Sequence, residues 1–179
     1  MNYWHMQLHP NNLGWKKEKQ LLEEYRLIGL GDWAESGNQQ AAFEKVMDIG
    51  DIVLIKRGGT IIALVEVISE YEYEDRDDSH DGLDWFPRRR EIKILDWYDE
   101  TYNFHVTPRG TLTRCNENNE DAETNITILK WHERVLGMNW TSETLDILKA
   151  KKQIILQGAP GSGKTYQTAA LAVRLIHPE

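Results

Sequence analysis

The chain has a single cysteine, Cys115, among 179 residues. One thiol excludes an internal disulfide framework and any multi-cysteine zinc site, and it suits a reducing compartment. Long apolar runs are also missing, so no segment reads as membrane-spanning. The opening Met1-Asn2-Tyr3-Trp4-His5 has neither a basic region nor a long apolar stretch. No secretory signal is read there, and a cytoplasmic location is expected. Excess positive charge is lacking too. Lys and Arg number 21 against 29 Asp and Glu, and the net charge of −8 argues against a protein coated in nucleic acid. No internal repeat occurs, and no Ser/His/Asp or Cys/His arrangement marks a hydrolase nucleophile.

What is present is a complete phosphate-binding loop (Walker A): Gly158, Ala159, Pro160, Gly161, Ser162, Gly163, Lys164 and Thr165, spaced G-x-x-x-x-G-K-T. The apolar Gln153–Gln157 run before it reads as a buried strand, and Tyr166–Ile176 after it reads as a helix. Strand, glycine loop and helix together are the context this motif requires. The glycines let successive backbone N–H groups turn inward around phosphate oxygens without a Cβ clash, and the helix aims its positive end at the same anion. Lys164 is the ligand expected for the terminal phosphates, and Thr165 is the expected protein ligand to Mg²⁺, for ATP or GTP. No apolar strand ending in Asp follows, nor any arginine finger. The chain is therefore expected to begin a nucleotide-binding domain without finishing it, and not to hydrolyse nucleotide alone. Ile154, Ile155, Leu156, Leu171, Val173, Leu175 and Ile176 are expected to lack the sheet that normally covers them.

Upstream, the pattern changes. Residues 2–8 read as a strand, 15–28 as a helix with Leu21, Leu22, Tyr25 and Ile28 at helical spacing, and 29–33 as a loop. Ser36 with Gln39 suggests a capping box before a second helix. Residues 52–56 and 60–68 form strands around a hairpin turn at Arg57-Gly58-Gly59. Residues 70–84 are strongly acidic and read as a solvated loop, and 90–98 as a strand. Further strands are expected at 102–106, 111–115 and 124–131, then a linker at 137–141 and a helix capped by Thr141 or Ser142. About six short strands with two helices inserted early predict a small closed or nearly closed β-barrel, and thus an α+β fold.

Two residue classes raise the question of ligands. Lys16-Lys17, Lys56-Arg57 and Arg88-Arg89-Arg90 are basic clusters suited to phosphate contact or simply to a surface. Of the seven tryptophans, Trp15, Trp33 and Trp85 fall in or beside loops, where a pocket rim would lie. Trp4, Trp97 and Trp131 fall in strands, where they would build the core, and Trp140 falls in the linker.

Tyr3-Trp4, then Gly50-Asp51-Ile52-Val53-Leu54-Ile55, then Ile61-Ile62-Ala63-Leu64-Val65-Glu66-Val67 resembles the EVE and PUA-like barrel family over roughly residues 1–135. Followed by an AAA+ phosphate loop, the order is similar to the McrB-type subunit of modification-dependent restriction systems. The resemblance implies a modified-base-binding barrel over 1–135, a linker and helix over 136–152, and the start of an AAA+ α/β domain over 153–179. It also implies modified DNA with a flipped base as ligand, a separate nuclease subunit as partner, and a ring homo-oligomer in the intact motor. Sensing one altered base requires extruding it and stacking it on aromatic faces, and Trp15, Trp33 and Trp85 are the substrate-binding candidates. The alternatives are an AAA+ ATPase whose barrel makes protein contacts, or an RNA-binding barrel fused to a motor.

Overall fold

The computed structural model describes residues 1–8, 17–32, 37–74, 86–108, 110–115, 122–159 and 164–176. The fold is α+β, and it divides into two compact units, 1–132 and 133–179. The first is built on a curled mixed sheet of seven strands. In chain order these are β1 (Tyr3–Gln7), β2 (Leu27–Leu30), β3 (Ile52–Arg57), β4 (Thr60–Val67), β5 (Glu72–Tyr73), β6 (Arg88–Trp97) and β7 (Leu112–Arg114). The order across the sheet is β2-β6-β4-β3-β1-β7, with β5 also paired to β6. Strand β1 runs parallel to β3, Trp4 opposite Val53, which obliges the chain to cross over between them.

The crossover carries α1 (Glu18–Gln20), a π-helical turn (Leu21–Tyr25), β2 and α2 (Gly37–Lys45). The helix predicted over 15–28 is thus cut short. Arg26 takes left-handed dihedrals (φ 54°), and Leu27–Leu30, expected to be helix end and loop, pairs antiparallel with Arg88–Glu91 of the long strand β6. Gly29 is needed in that pair, because a Cβ there would lie 2.5 Å from Phe86 Cβ and 2.7 Å from the Arg88 carbonyl. The β3–β4 hairpin forms as expected, with Gly58 at φ +58° in its turn. Ser36, the proposed cap of α2, lies outside the described residues.

Trp4, Met6, Val53, Ile55, Ala63, Val65, Val67 and Ile92 line one sheet face, and Leu21, Leu22, Phe43 and Met47 close over them. Ile52, Leu54, Leu64 and His5 are buried as well, so the central strands are covered on both faces. Tyr3 and His132 meet edge to face at 5.9 Å, which places the start of α3 (Ala122–Lys151) over the second face.

Here the structure corrects four expectations. Residues 124–131, read as the last strand, belong to α3, a 30-residue helix that also includes the predicted linker at 137–141. Thr124, Ile128, Trp131 and Val135, with Asn125, Thr127 and His132 beside them, are buried, a helical face hidden inside a β-rich composition. Thr141 caps nothing: its hydroxyl lies mid-helix and donates to the Gly137 carbonyl at 2.7 Å. Residues 102–106 form no strand, because a 3-10 turn at Glu100–Tyr102, capped by Asp99 and left through Asn103 at φ 49°, turns the chain. Their aromatics instead pack with Tyr98 against Trp131, at ring separations of 5.5–6.4 Å. Asp96 accepts from Tyr102 and from Trp131 Nε1 beside them.

The Gly50-Asp51 and Tyr3-Trp4 segments meet. Buried Asp51 accepts from Trp4 Nε1 at 2.8 Å, from Asn2 N at 2.6 Å, from Asn2 Nδ2 and from Asp48 N. Most of the basic clusters are likewise consumed by the fold. Arg90 is buried and donates to the carbonyls of Phe43, Glu44, Met47 and Ser69, closing the C-terminal end of α2. Burial draws its pKa below the ordinary arginine value, opposed by the nearby charges of Glu70, Asp48 and Asp51. Arg88 pairs with Asp32, Arg89 with Glu74, and Arg57 with Glu18, while Lys56 is buried against the Thr107 carbonyl at 2.7 Å.

Candidate nucleotide-binding site

The second unit holds residues 133–151 of α3 and the separate helix α4 (Lys164–Ile176). Ala169, Ala170, Leu171 and Ala172 are strong helix formers and carry α4 through its middle. Lys164 is its first residue, so the lysine of the phosphate loop stands at the positive end of a 13-residue helix. Its ammonium folds back over the loop and donates to the carbonyls of Gly158 at 2.6 Å and Ala159 at 2.5 Å. Thr165, one residue on, is exposed, and Thr168 hydroxyl donates to the Lys164 carbonyl at 2.8 Å.

Of the eight predicted loop residues, Gly158, Ala159, Lys164 and Thr165 are described, and Pro160, Gly161, Ser162 and Gly163 lie outside the described residues. The strand expected before the loop is absent: residues 153–159 form no regular element. A cavity of about 760 Å³ lies between that segment and α4, bordered by Leu148, Ile154, Leu156, Thr168, Leu171 and Leu175. Leu171 is buried, whereas Ile155 is 83% and Ile176 71% exposed, with Val173 and Leu175 exposed beside them.

The residues present fit a magnesium–nucleotide pair. An ammonium already held over loop carbonyls at a helix head is placed to exchange them for phosphate oxygens, and a free hydroxyl is a hard oxygen ligand of the kind Mg²⁺ takes. Among the described residues no group of three or more His, Cys, Asp or Glu is placed to hold a metal.

Trp15, Trp33 and Trp85, the proposed base-stacking residues, also lie outside the described residues. The described residues nearest to two of them are brought together. Leu30 pairs with Arg88, and Arg88 with Tyr73, so Asp32 and Phe86 stand at one end of the sheet. Asp32 there accepts from Tyr73 and Arg88. Trp4 and Trp131 are core residues, as expected, and Trp97 is half-buried against the core.

The sheet and its helices define an α+β domain, and the sequence comparison matches most of it. Residues 9–114 match the family described as a domain of unknown function (DUF8426), and the chain belongs to that family. The match ends before α3 and the phosphate loop. No curated protein matches the chain. Among solved structures the chain is similar to the NMR structure of Rpa0253 from Rhodopseudomonas palustris. Identity there is 16%, covering 72% of this chain and 92% of that one, with a TM-score of 0.39. It is also similar to the crystal structure of Atu2648 from Agrobacterium tumefaciens, at 17% identity over 65% and 86% of the two chains and a TM-score of 0.37. No helix among the described residues is long and apolar enough to cross a membrane.

Proposed function

We propose that this chain is the recognition end of a cytoplasmic, McrB-like AAA+ restriction NTPase: an EVE/PUA-like barrel that reads a modified DNA base, joined to a phosphate loop that binds ATP or GTP with Mg²⁺. The observation that carries the reading is Lys164 at the head of α4, with its ammonium over the Gly158 and Ala159 carbonyls. That is the arrangement a triphosphate would complete, with Thr165 on the metal. Replacing Lys164 by Ala is expected to abolish binding of Mg·ATP and Mg·GTP, measured by calorimetry, while the urea midpoint of the sheet unit stays put. Unchanged nucleotide affinity would sink the assignment.

The base-reading half rests on the family resemblance and on the candidates Trp15, Trp33 and Trp85. A flipped base stacked on these rings is worth roughly 1–3 kcal/mol each, so Trp15→Ala and Trp33→Ala should weaken binding of a methylated duplex by that much. Equal affinity of the unaltered protein for methylated and unmethylated duplexes refutes it. In the intact motor a nuclease subunit and a ring of identical subunits are the expected partners. A second reading, an AAA+ ATPase whose barrel makes protein contacts, draws support from Arg88, Arg89 and Arg90. All three are engaged within the fold, and none is left to track a phosphate backbone.

A further inference from the structure

A nucleotide has two ends, and the phosphate loop accounts for one. Beside α4 lies a second cavity, of about 390 Å³, formed entirely within the second unit. That size falls within the roughly 300–1,000 Å³ of small-molecule sites. Its walls include Gly137, Trp140 and Thr141 of α3 and Tyr166, Gln167 and Arg174 of α4. Tyr166 and Gln167 stand only two and three residues beyond Lys164, so this cavity begins in the same helical turn that holds the phosphate-binding lysine.

Its chemistry differs from that of the larger cavity, whose walls are mainly Leu, Ile and Ala. Here two aromatic rings meet an amide, a hydroxyl and the guanidinium groups of Arg134 and Arg174. Trp140 is half-buried in α3, whereas Tyr166 is 80% exposed, an unusual position for a large ring with no packing duty. Gly137 also borders this cavity, and a Cβ at that position would meet no atom within 4 Å. Rings of this kind stack on any planar heterocycle, and the Gln167 amide both donates and accepts, as the edge of a purine does.

We infer that this cavity takes the nucleobase of the nucleotide, stacked on Trp140 and Tyr166, while the loop and Lys164 hold its phosphates. The inference rests on the phosphate-loop reading, and its test separates the two. Binding of Mg·ATP, Mg·GTP and Mg·tripolyphosphate to the full chain is measured by calorimetry for the unaltered protein and for Lys164→Ala, Tyr166→Ala and Trp140→Leu. A base site makes the unaltered protein prefer the nucleotides over tripolyphosphate. Tyr166→Ala and Trp140→Leu should then each cut that preference about tenfold, and Lys164→Ala should abolish binding of all three ligands. Because Tyr166 is exposed, its replacement does not put folding at risk even if Trp140→Leu does. Equal affinity of the unaltered protein for ATP and tripolyphosphate, or an unchanged preference in Tyr166→Ala, overturns the base site and leaves the loop reading standing. Failure of all three ligands to bind the unaltered protein overturns both.

Discussion

The two units treat their charged residues and apolar side chains in opposite ways. In the sheet unit, charge goes inward and is answered: Asp51 receives four donated hydrogen bonds, Arg90 gives its own to four carbonyls, and Lys56 is buried on the Thr107 carbonyl. In the second unit the motif lysine is half-exposed at a helix head, while Ile155, Val173 and Ile176 face outward. The contrast separates two reasons for an eye-catching motif. Gly50-Asp51 stands out in the sequence as a family-like motif and Arg88-Arg89-Arg90 as a basic cluster, yet their side chains are spent on holding strands and helices together. The described residues of the phosphate loop, Gly158, Ala159, Lys164 and Thr165, are exposed or half-exposed, so their polar groups are not spent on a core.

The sharpest way to break this comparison is at Asp51. Its buried side chain joins Asn2, the buried Trp4 of β1 and the turn before β3. Removing a buried carboxylate strands those donors, and each hydrogen bond to a charged group is worth about 1.5–3 kcal/mol. Because losses within one network are not additive, Asp51→Ala is expected to cost about 3–5 kcal/mol, read from the urea midpoint by tryptophan fluorescence. Asp51→Asn, which keeps an acceptor for Trp4 Nε1, should fall between. A cost below 1 kcal/mol would mean that this carboxylate is wet and available for another role.

Arg90 comes next. Met replaces its apolar stem but leaves the carbonyls of Phe43, Glu44, Met47 and Ser69 without their donor. Arg90→Met should cost about 2–4 kcal/mol and speed amide exchange across α2. Lysine, a single ammonium with no planar fork, should recover only part of the loss. A full-strength α2 in Arg90→Met, together with weakened duplex binding, would move this arginine from the folding column to the recognition column.

Much of the sheet was legible because its strands are locally consistent. The β3–β4 hairpin announces itself through Gly58-Gly59 between β-branched runs, and β6 through its alternation. What failed was decided at long range. Leu27–Leu30 belongs to a strand only because β6 is long enough to pair with it, and nothing within residues 15–30 says so. Thr124–Trp131 has the composition of a strand, but Thr124, Ile128, Trp131 and Val135 follow the helical period that packing selects. The phosphate-loop reading rests instead on eight contiguous residues, and its nucleotide chemistry is the proposal above. The aromatic lining of the cavity beside it was not legible, since Trp140 and Tyr166 lie 26 positions apart and Gly137 looked like a linker.

That glycine gives the smallest and cleanest test of how the second unit differs. Gly137 lies in the interior of α3 without a positive φ, so its backbone conformation is one that any L-residue adopts. Its absent Cβ would meet nothing. In a helix interior glycine costs about 0.5–1 kcal/mol relative to alanine, through the freedom it loses on folding. Gly137→Ala should therefore stabilise the protein by about that amount, a rise in Tm of roughly 1–4 °C by calorimetry. Gly137 borders the smaller cavity, so the gain in stability should come with weaker nucleotide binding if a base lies against α3 there, and with no change if the cavity has no ligand. The sheet unit offers the opposite control: Gly29→Ala drives a methyl against Phe86 and the Arg88 carbonyl and should destabilise. A loss of stability in Gly137→Ala would show that the space beside α3 is filled in solution, and the second unit would then be packed as closely as the first.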